Sequence, residues 1–323
     1  MIPSLLITNE LPVVVNDRAH NIINGNDAEL LAGARVLFAC NAEISWGSRN
    51  EDGSKIDLFA SYDHPWFMGE RIILLIQVKS GPTYGQIMGN GFELTQRAKL
   101  LAKRTSHEIC VIWVDRVVSK LFWAYIHPNT ALTNQFYGKH HRVNPAMRFD
   151  IARCQSKYLP YKLGGAGVII ARLAHPIGVA RKIALRKYRE LSRQNILCPV
   201  IGKVEFTRMG WRHMFRKARS QKDKASSMDV IRQLDSILIG IPTNHSVTKT
   251  DYFVSDNYEY RVVEHLLSYE KVKLFDGGIT KEIKVIIKLK EEVRYPTNWH
   301  NDGMLSQKIN RRVVFLSAYH KNL

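Results

Sequence analysis

The chain has 323 residues, 45% hydrophobic and 24% charged, enough apolar material for a real core and, at this length, for two domains. Its longest apolar stretch, 164–174, is broken by Arg172 and stays short of the roughly 18 residues that span a bilayer, so no membrane association is expected. The first residues lack the basic start of a secretory signal, and Cys40, Cys110, Cys154 and Cys198 form no CxxC pair, so a cytoplasmic protein without a disulfide framework or zinc site is expected.

Residues 26–40 are predicted as a helix capped by Asn26, with Leu30, Ala34 and Leu37 at helical spacing. A short strand follows at 42–47, a polar turn with Gly53, and strands at 55–62 and 71–79. Residues 82–91 read as a glycine-rich loop and 92–104 as a helix. Strands at 108–115 and 120–127 flank a turn. This order predicts an α/β domain over 1–150 with a mixed sheet flanked by helices.

From about residue 150 the character changes, and 151–323 is expected to be a basic α+β domain. A helix is predicted over 176–195, with Pro176 near its start. A second is predicted over 207–220 despite Gly210. A third is expected to enter through a capping box of Ser226 and Asp229 and to end at Gly240 and Pro242. Strands are predicted at 270–275, 281–290 and 311–319.

The net charge of +18 is unevenly placed. Residues 1–150 carry 15 Lys and Arg against 14 Asp and Glu, whereas 151–224 carry 18 against 3. A concentrated basic block implies a polyanionic partner, DNA first and RNA second, with an acidic membrane surface or an acidic protein partner as the competing reading. On a continuous helix, Arg208, Arg212, Arg216 and Arg219 would share one face, with Trp211 among them. Arg181, Lys182, Arg186 and Lys187 add charge from the preceding helix. Such a surface would contact phosphates and position a substrate without reading its sequence.

The strand at 71–79 poses the sharpest question. Ile72, Leu74, Ile76 and Val78 share one face, while Gln77 and Lys79 point together from the other. A lysine buried at a strand end is costly unless that end opens onto anions. Asp57 lies on the preceding strand, and an antiparallel pairing would bring it opposite. Asp57, the Gln77 side-chain oxygen and the Val78 carbonyl are oxygen donors of the kind Mg²⁺ takes, and Lys79 could serve a water and a phosphate.

In these residues the sequence resembles the PD-(D/E)XK nuclease superfamily. The match is Glu29 in the first helix, Asp57 in "KIDLF", and "QVK" for the motif's (D/E)XK, nearest to a restriction-like bacterial branch with Gln-X-Lys. The resemblance covers about 30–127. It implies a restriction-endonuclease-like fold, Mg²⁺ dependence with Mn²⁺ as a substitute, cleavage of DNA, and a role in restriction or phage defence. Glu29, Asp57, Gln77 and Val78 would hold the metal, with Lys79 as the catalytic cation. Glu43 competes with Glu29 for the first acid, and Gln77 stands where the family has an acid. A homodimer is compatible with cutting two strands. The alternative is a non-catalytic nucleic-acid-binding protein on a degenerate nuclease fold.

Overall fold

The computed structural model describes residues 18–47, 56–156, 165–172, 175–301 and 308–322. The chain is mixed α/β and divides into two compact units, Met1–Ala152 with Pro296–Lys308 and Arg153–Tyr295 with Ile309–Leu323. The first break falls close to residue 150, but the stretch 296–308 joins the first unit.

The first unit opens with α1 (Arg18–Cys40), then β1 (Glu43–Trp46), β2 (Leu58–Asp63) and β3 (Arg71–Ser80). It continues through β4 (Gly85–Met88), β5 (Gly91–Leu94), α2 (Gln96–Ala102), β6 (Ile109–Asp115), β7 (Lys120–Ile126) and β8 (Gln135–Tyr137). Strands β1–β2–β3–β6–β7 form one sheet in which only β3 and β6 are parallel. Helix α1 lies against β2 and β3. Its buried stripe is Ala28, Ala32, Val36 and Ala39, and the strand answers with Ile72, Leu74, Ile76 and Val78. Burying each of those strand side chains contributes about 1.5–3 kcal/mol. Small residues bring the helix close: a Cβ at Gly33 would come within 2.8 Å of the Trp46 ring.

A second layer covers the other face of the sheet. Strands β4–β5–β8 make a small antiparallel sheet, and Phe92, Leu94, Ala98, Trp113 and Phe122 share one apolar cluster. The expected loop at 82–91 therefore contains a strand and most of a hairpin, and 92–94 is strand rather than helix. Thr95 decides the boundary: its hydroxyl accepts from the Ala98 N–H, capping α2, so the helix starts at Gln96. The segment returning at 296–301 brings Trp299 under the Arg35 guanidinium, 5.7 Å from the ring centroid.

The chain leaves the first unit within α3 (Met147–Ser156). The second unit contains β9 (Ile169–Ala171), α4 (Ile177–Leu191), β10 (Ile196–Cys198), β11 (Gly202–Val204), α5 (Arg208–Met214), α6 (Gln221–Ile231) and α7 (Leu234–Leu238). Its sheet is β12 (Asn244–Ser255), β13 (Tyr258–Asp276), β14 (Ile279–Pro296) and β15 (Asn310–Asn322), with β9 parallel to the end of β13. Two tight turns join the long strands. Asp256 and Asn257 have φ of 52° and 63°, and Gly277 and Gly278 have φ of 57° and 88°, the paired left-handed geometry whose twist suits a hairpin. Ala180, Ala184, Tyr188 and Leu191 of α4 share a core with Val285, Ile287, Leu289 and Phe315.

Three expectations for this unit are corrected. The helix expected over 207–220 ends at Met214, so Arg216 and Arg219 do not continue the face of Arg208 and Arg212. The third helix starts at Gln221, capped by Ser220, whose hydroxyl accepts from the Asp223 N–H at 3.1 Å. Ser226 and Asp229 lie buried inside that helix and are not its cap. The helix then breaks, and α7 begins at Leu234. Strand β12 adds to the three strands expected from the sequence.

Strand β14 carries a buried carboxylate. Glu291 accepts from Arg153 at 3.1 Å, Arg261 at 3.0 Å and Arg311 at 2.7 Å, and His265 Nε2 lies 3.3 Å away. His245 Nε2 meets His265 Nδ1 at 3.0 Å, so the ring can donate to Glu291 while accepting from His245. Burial opposes ionisation of Glu291, yet Arg153, Arg311, the His265 hydrogen bond and Arg261 together hold its carboxyl well below the usual carboxylate range. All four cysteines are thiols rather than disulfides. No described helix is long and apolar enough to cross a membrane.

Candidate active site

β2 and β3 pair antiparallel with Leu58 opposite Ile76, and the Asp57 N–H donates to the Ile76 carbonyl at 2.9 Å. That register sets Asp57 at the end of β3 where Gln77 and Lys79 stand. The Asp57 carboxylate accepts the Val78 N–H at 2.6 Å and lies 3.7 Å from Lys79 Nζ. Lys79 Nζ also donates to the Val78 carbonyl at 2.7 Å. An aspartate oxygen and a backbone carbonyl thus converge on one cation. Gln77 is fully buried on the Lys79 face of the strand, among the second layer.

The candidate first acids separate. Glu43 is exposed and pairs with Arg71 at 3.1 Å. Arg71 begins β3, eight residues before Lys79 and so roughly 26 Å away along the strand. Glu29 lies partly buried on α1, four residues before Gly33, and therefore on the side of the helix that meets Trp46 of β1. Burial lowers the pKa of Arg116 while the charge of an unexpected acid, Asp27, opposes that shift, and the Arg116 guanidinium donates to Ser80 Oγ at 2.6 Å. Among the described residues, no three His, Cys, Asp or Glu side chains converge as a metal-ligating group.

After Ser80 the chain turns at Gly81, with φ of 79°, and Trp113 Nε1 donates to the Gly81 carbonyl at 2.9 Å. Thr95, the cap of α2, uses its N–H to hold the Tyr84 carbonyl at 3.0 Å. These ties set Tyr84 beside both Lys79 and the first turn of α2. Lys79 Nζ lies 5.9 Å, and the Arg97 guanidinium 5.7 Å, from the Tyr84 ring centroid. The result is a cleft of about 450 Å³ lined by Lys79, Tyr84, Arg97, Leu100, Leu101 and Arg104.

No family model, curated protein or solved structure matches this chain.

Tyr84, Arg97 and Arg104 do not stand out in the sequence, although the i, i+7 spacing of the two arginines around Leu100 and Leu101 carries a signal. Lys99, whose helical position would let it face a substrate, is wholly buried. Its ammonium donates to the Ala131 and Thr133 carbonyls and to Gln135 Oε1, pinning the loop before β8.

The basic segment of the second unit sorts into two groups. Arg181, Lys182, Arg186, Arg208, Arg212 and Arg216 are exposed to differing degrees. Arg181 lies 5.7 Å from the Phe215 ring, and Tyr188 packs on Trp211 at 5.4 Å, so α4 and α5 sit side by side. The others are structural. Lys187 pairs with Asp235 at 2.7 Å. Trp211 is packed against the core. Arg219 donates to the Met214 carbonyl and Ser227 Oγ, both at 3.3 Å.

Proposed function

We propose that the protein is a Mg²⁺-dependent endonuclease acting on DNA, with its chemistry at the end of β3 and a restriction-endonuclease-like first unit. One observation carries this reading: the Asp57 carboxylate and the Lys79 ammonium meet at 3.7 Å beside a cationic cleft. The donor set fits a hard cation in kind, because the Asp57 oxygen and the Val78 carbonyl already converge on a positive charge. Asp57 and the Val78 carbonyl would hold Mg²⁺, with the Gln77 amide and Glu29 in support and waters and a substrate phosphate completing the shell. Bound Mg²⁺, or Mn²⁺ in its place, would polarise the phosphodiester and activate a water.

The chain's own residues carry the rest. Displacing Lys79 from the Val78 carbonyl would free its ammonium to face the phosphate, where it offsets the charge gained in the transition state. Arg97 and Arg104 hold neighbouring phosphates on the cleft rim. The exposed arginines of α4 and α5 in the second unit add sequence-independent attraction for a polyanion. A role in restriction or phage defence follows from the resemblance. Incubating plasmid DNA and single-stranded DNA with the full chain and Mg²⁺ tests the reading: cleavage of either that EDTA stops supports it, and both left intact sinks it for DNA, with an RNA substrate as the parallel assay.

A second reading is favoured by the small number of acids at the site, one carboxylate where Gln77 replaces another. In it the protein binds nucleic acid without cutting it. Salt-sensitive DNA binding with no cleavage at any Mg²⁺ or Mn²⁺ concentration would select this reading.

A further inference from the structure

The lining of the cleft is mixed in a way that phosphate binding alone does not require. Lys79, Arg97 and Arg104 supply positive charge, and no acid is among the lining residues. Tyr84, Leu100 and Leu101 supply an aromatic and aliphatic wall, and Leu100 is 46% exposed. The backbone of Tyr84 is tied to Thr95, and Lys79 Nζ and the Arg97 guanidinium lie 5.9 and 5.7 Å from its ring centroid, so the ring has fixed neighbours before any ligand arrives. A volume of about 450 Å³ lies within the roughly 300–1,000 Å³ of small-ligand sites. The ligand that uses all of this lining has a flat apolar ring joined to an anion, as a nucleotide does. A base inside a duplex is paired and stacked on both faces, and the duplex offers such a cleft only its phosphates.

We propose that this cleft takes one unpaired nucleotide next to the scissile phosphate, its base against Tyr84 and Leu100 and its phosphate among Lys79, Arg97 and Arg104, so that the site acts on single-stranded or frayed nucleic acid. The proposal rests on the reading of this site as one that takes nucleic acid.

The test is fluorescence anisotropy of the full chain in EDTA with a labelled dT oligonucleotide and with a duplex of equal length. Tyr84→Ala and Leu100→Ser are expected to weaken oligonucleotide binding by about 5- to 100-fold, while duplex binding stays within about twofold. Tyr84→Phe should retain wild-type affinity. Leu100→Ser alters an exposed side chain, which keeps the test valid if Tyr84→Ala fails to fold. An abasic nucleotide walked through the oligonucleotide should lower affinity at one position. Equal losses on both substrates, or no loss with Leu100→Ser, would overturn the proposal. Cleavage of plasmid or single-stranded DNA without this single-strand binding effect removes the nucleotide cleft and leaves the nuclease; the binding effect with neither DNA cleaved removes the nuclease and leaves the cleft.

Discussion

Lys79 lies 3.7 Å from the Asp57 carboxylate, and the same ammonium donates to the Val78 carbonyl at 2.7 Å. The contact crosses the β2–β3 pair, so it is set by strand register and not by a mobile loop. A lysine in this position offsets the charge of the carboxylate, and its ammonium also lines the cleft with Arg97 and Arg104.

Two substitutions test that pairing. Asp57→Asn keeps an oxygen for the Val78 N–H but removes the charge. Lys79→Met keeps the length and removes the ammonium. Each is expected to lower Mg²⁺-dependent plasmid nicking by about 100-fold or more. Oligonucleotide binding in EDTA by Asp57→Asn should persist. Loss of folding in both, seen as a collapsed circular dichroism melt, would instead make the pair structural.

The basic surface of the second unit predicts a division among its cations. Arg181→Ala with Arg186→Ala removes two exposed charges and should flatten the plot of log affinity against log salt by up to about 0.9 for each phosphate that is no longer neutralised. Lys187→Ala should change that slope little, because its ammonium is already engaged by Asp235. Arg219→Ala should lower the melting temperature, since it frees the Met214 carbonyl and Ser227 from their donor. An equal slope change from all three would refute the division.

Glu291 predicts a stability effect that depends on pH. Glu291→Ala leaves Arg153, Arg261 and Arg311 without their shared acceptor and should cost about 3–5 kcal/mol. The folded carboxyl titrates below its unfolded value, so its contribution is present above about pH 4.5 and is lost as pH falls through the lower folded value. Urea titrations at pH 7 and pH 3 should therefore differ for wild type more than for Glu291→Ala. Similar pH dependence in both proteins would contradict this account.

His64 gives a spectroscopic prediction. Its Nδ1 accepts the N–H groups of Trp66 and Phe67 at 3.4 and 3.1 Å, which requires a neutral ring. Burial lowers its pKa to about 4. The folded value lies below the unfolded one, so the stability it contributes is present above pH 6.5 and is lost as pH falls towards 4. NMR should show the ring of His64 titrating near pH 4, and a midpoint near 6.5 would refute the contact.

The candidate site was legible where one residue's side of a strand decided its burial. The alternation in 71–79 separates Ile72, Leu74, Ile76 and Val78 from Gln77 and Lys79, and the sheet buries the first set against α1. Of the two candidate first acids, Glu43 lies at the end of β3 away from Lys79, paired with Arg71, and nothing in the sequence announces that the charge of Asp27 acts on Arg116. Failures came where two local signals had equal claim. Ser-x-x-Asp occurs at 220–223 and again at 226–229, and only tertiary burial of Ser226, whose hydroxyl donates to the His320 carbonyl, rejects the second. The glycines at 85 and 91 resemble loop punctuation. Each permits a close approach, to the Trp113 ring and to the Tyr137 carbonyl, that any Cβ would block.

The position of Trp299 under Arg35 has a consequence for how the chain is made. A ribosome releases α1 early but Trp299 only after β12, β13 and β14 have emerged. The first unit thus waits, with Arg35 uncovered, through the synthesis of most of the second. Its last piece is delivered by the segment between β14 and β15, and vectorial folding from the N-terminus, the usual order for successive domains, cannot finish the first unit first.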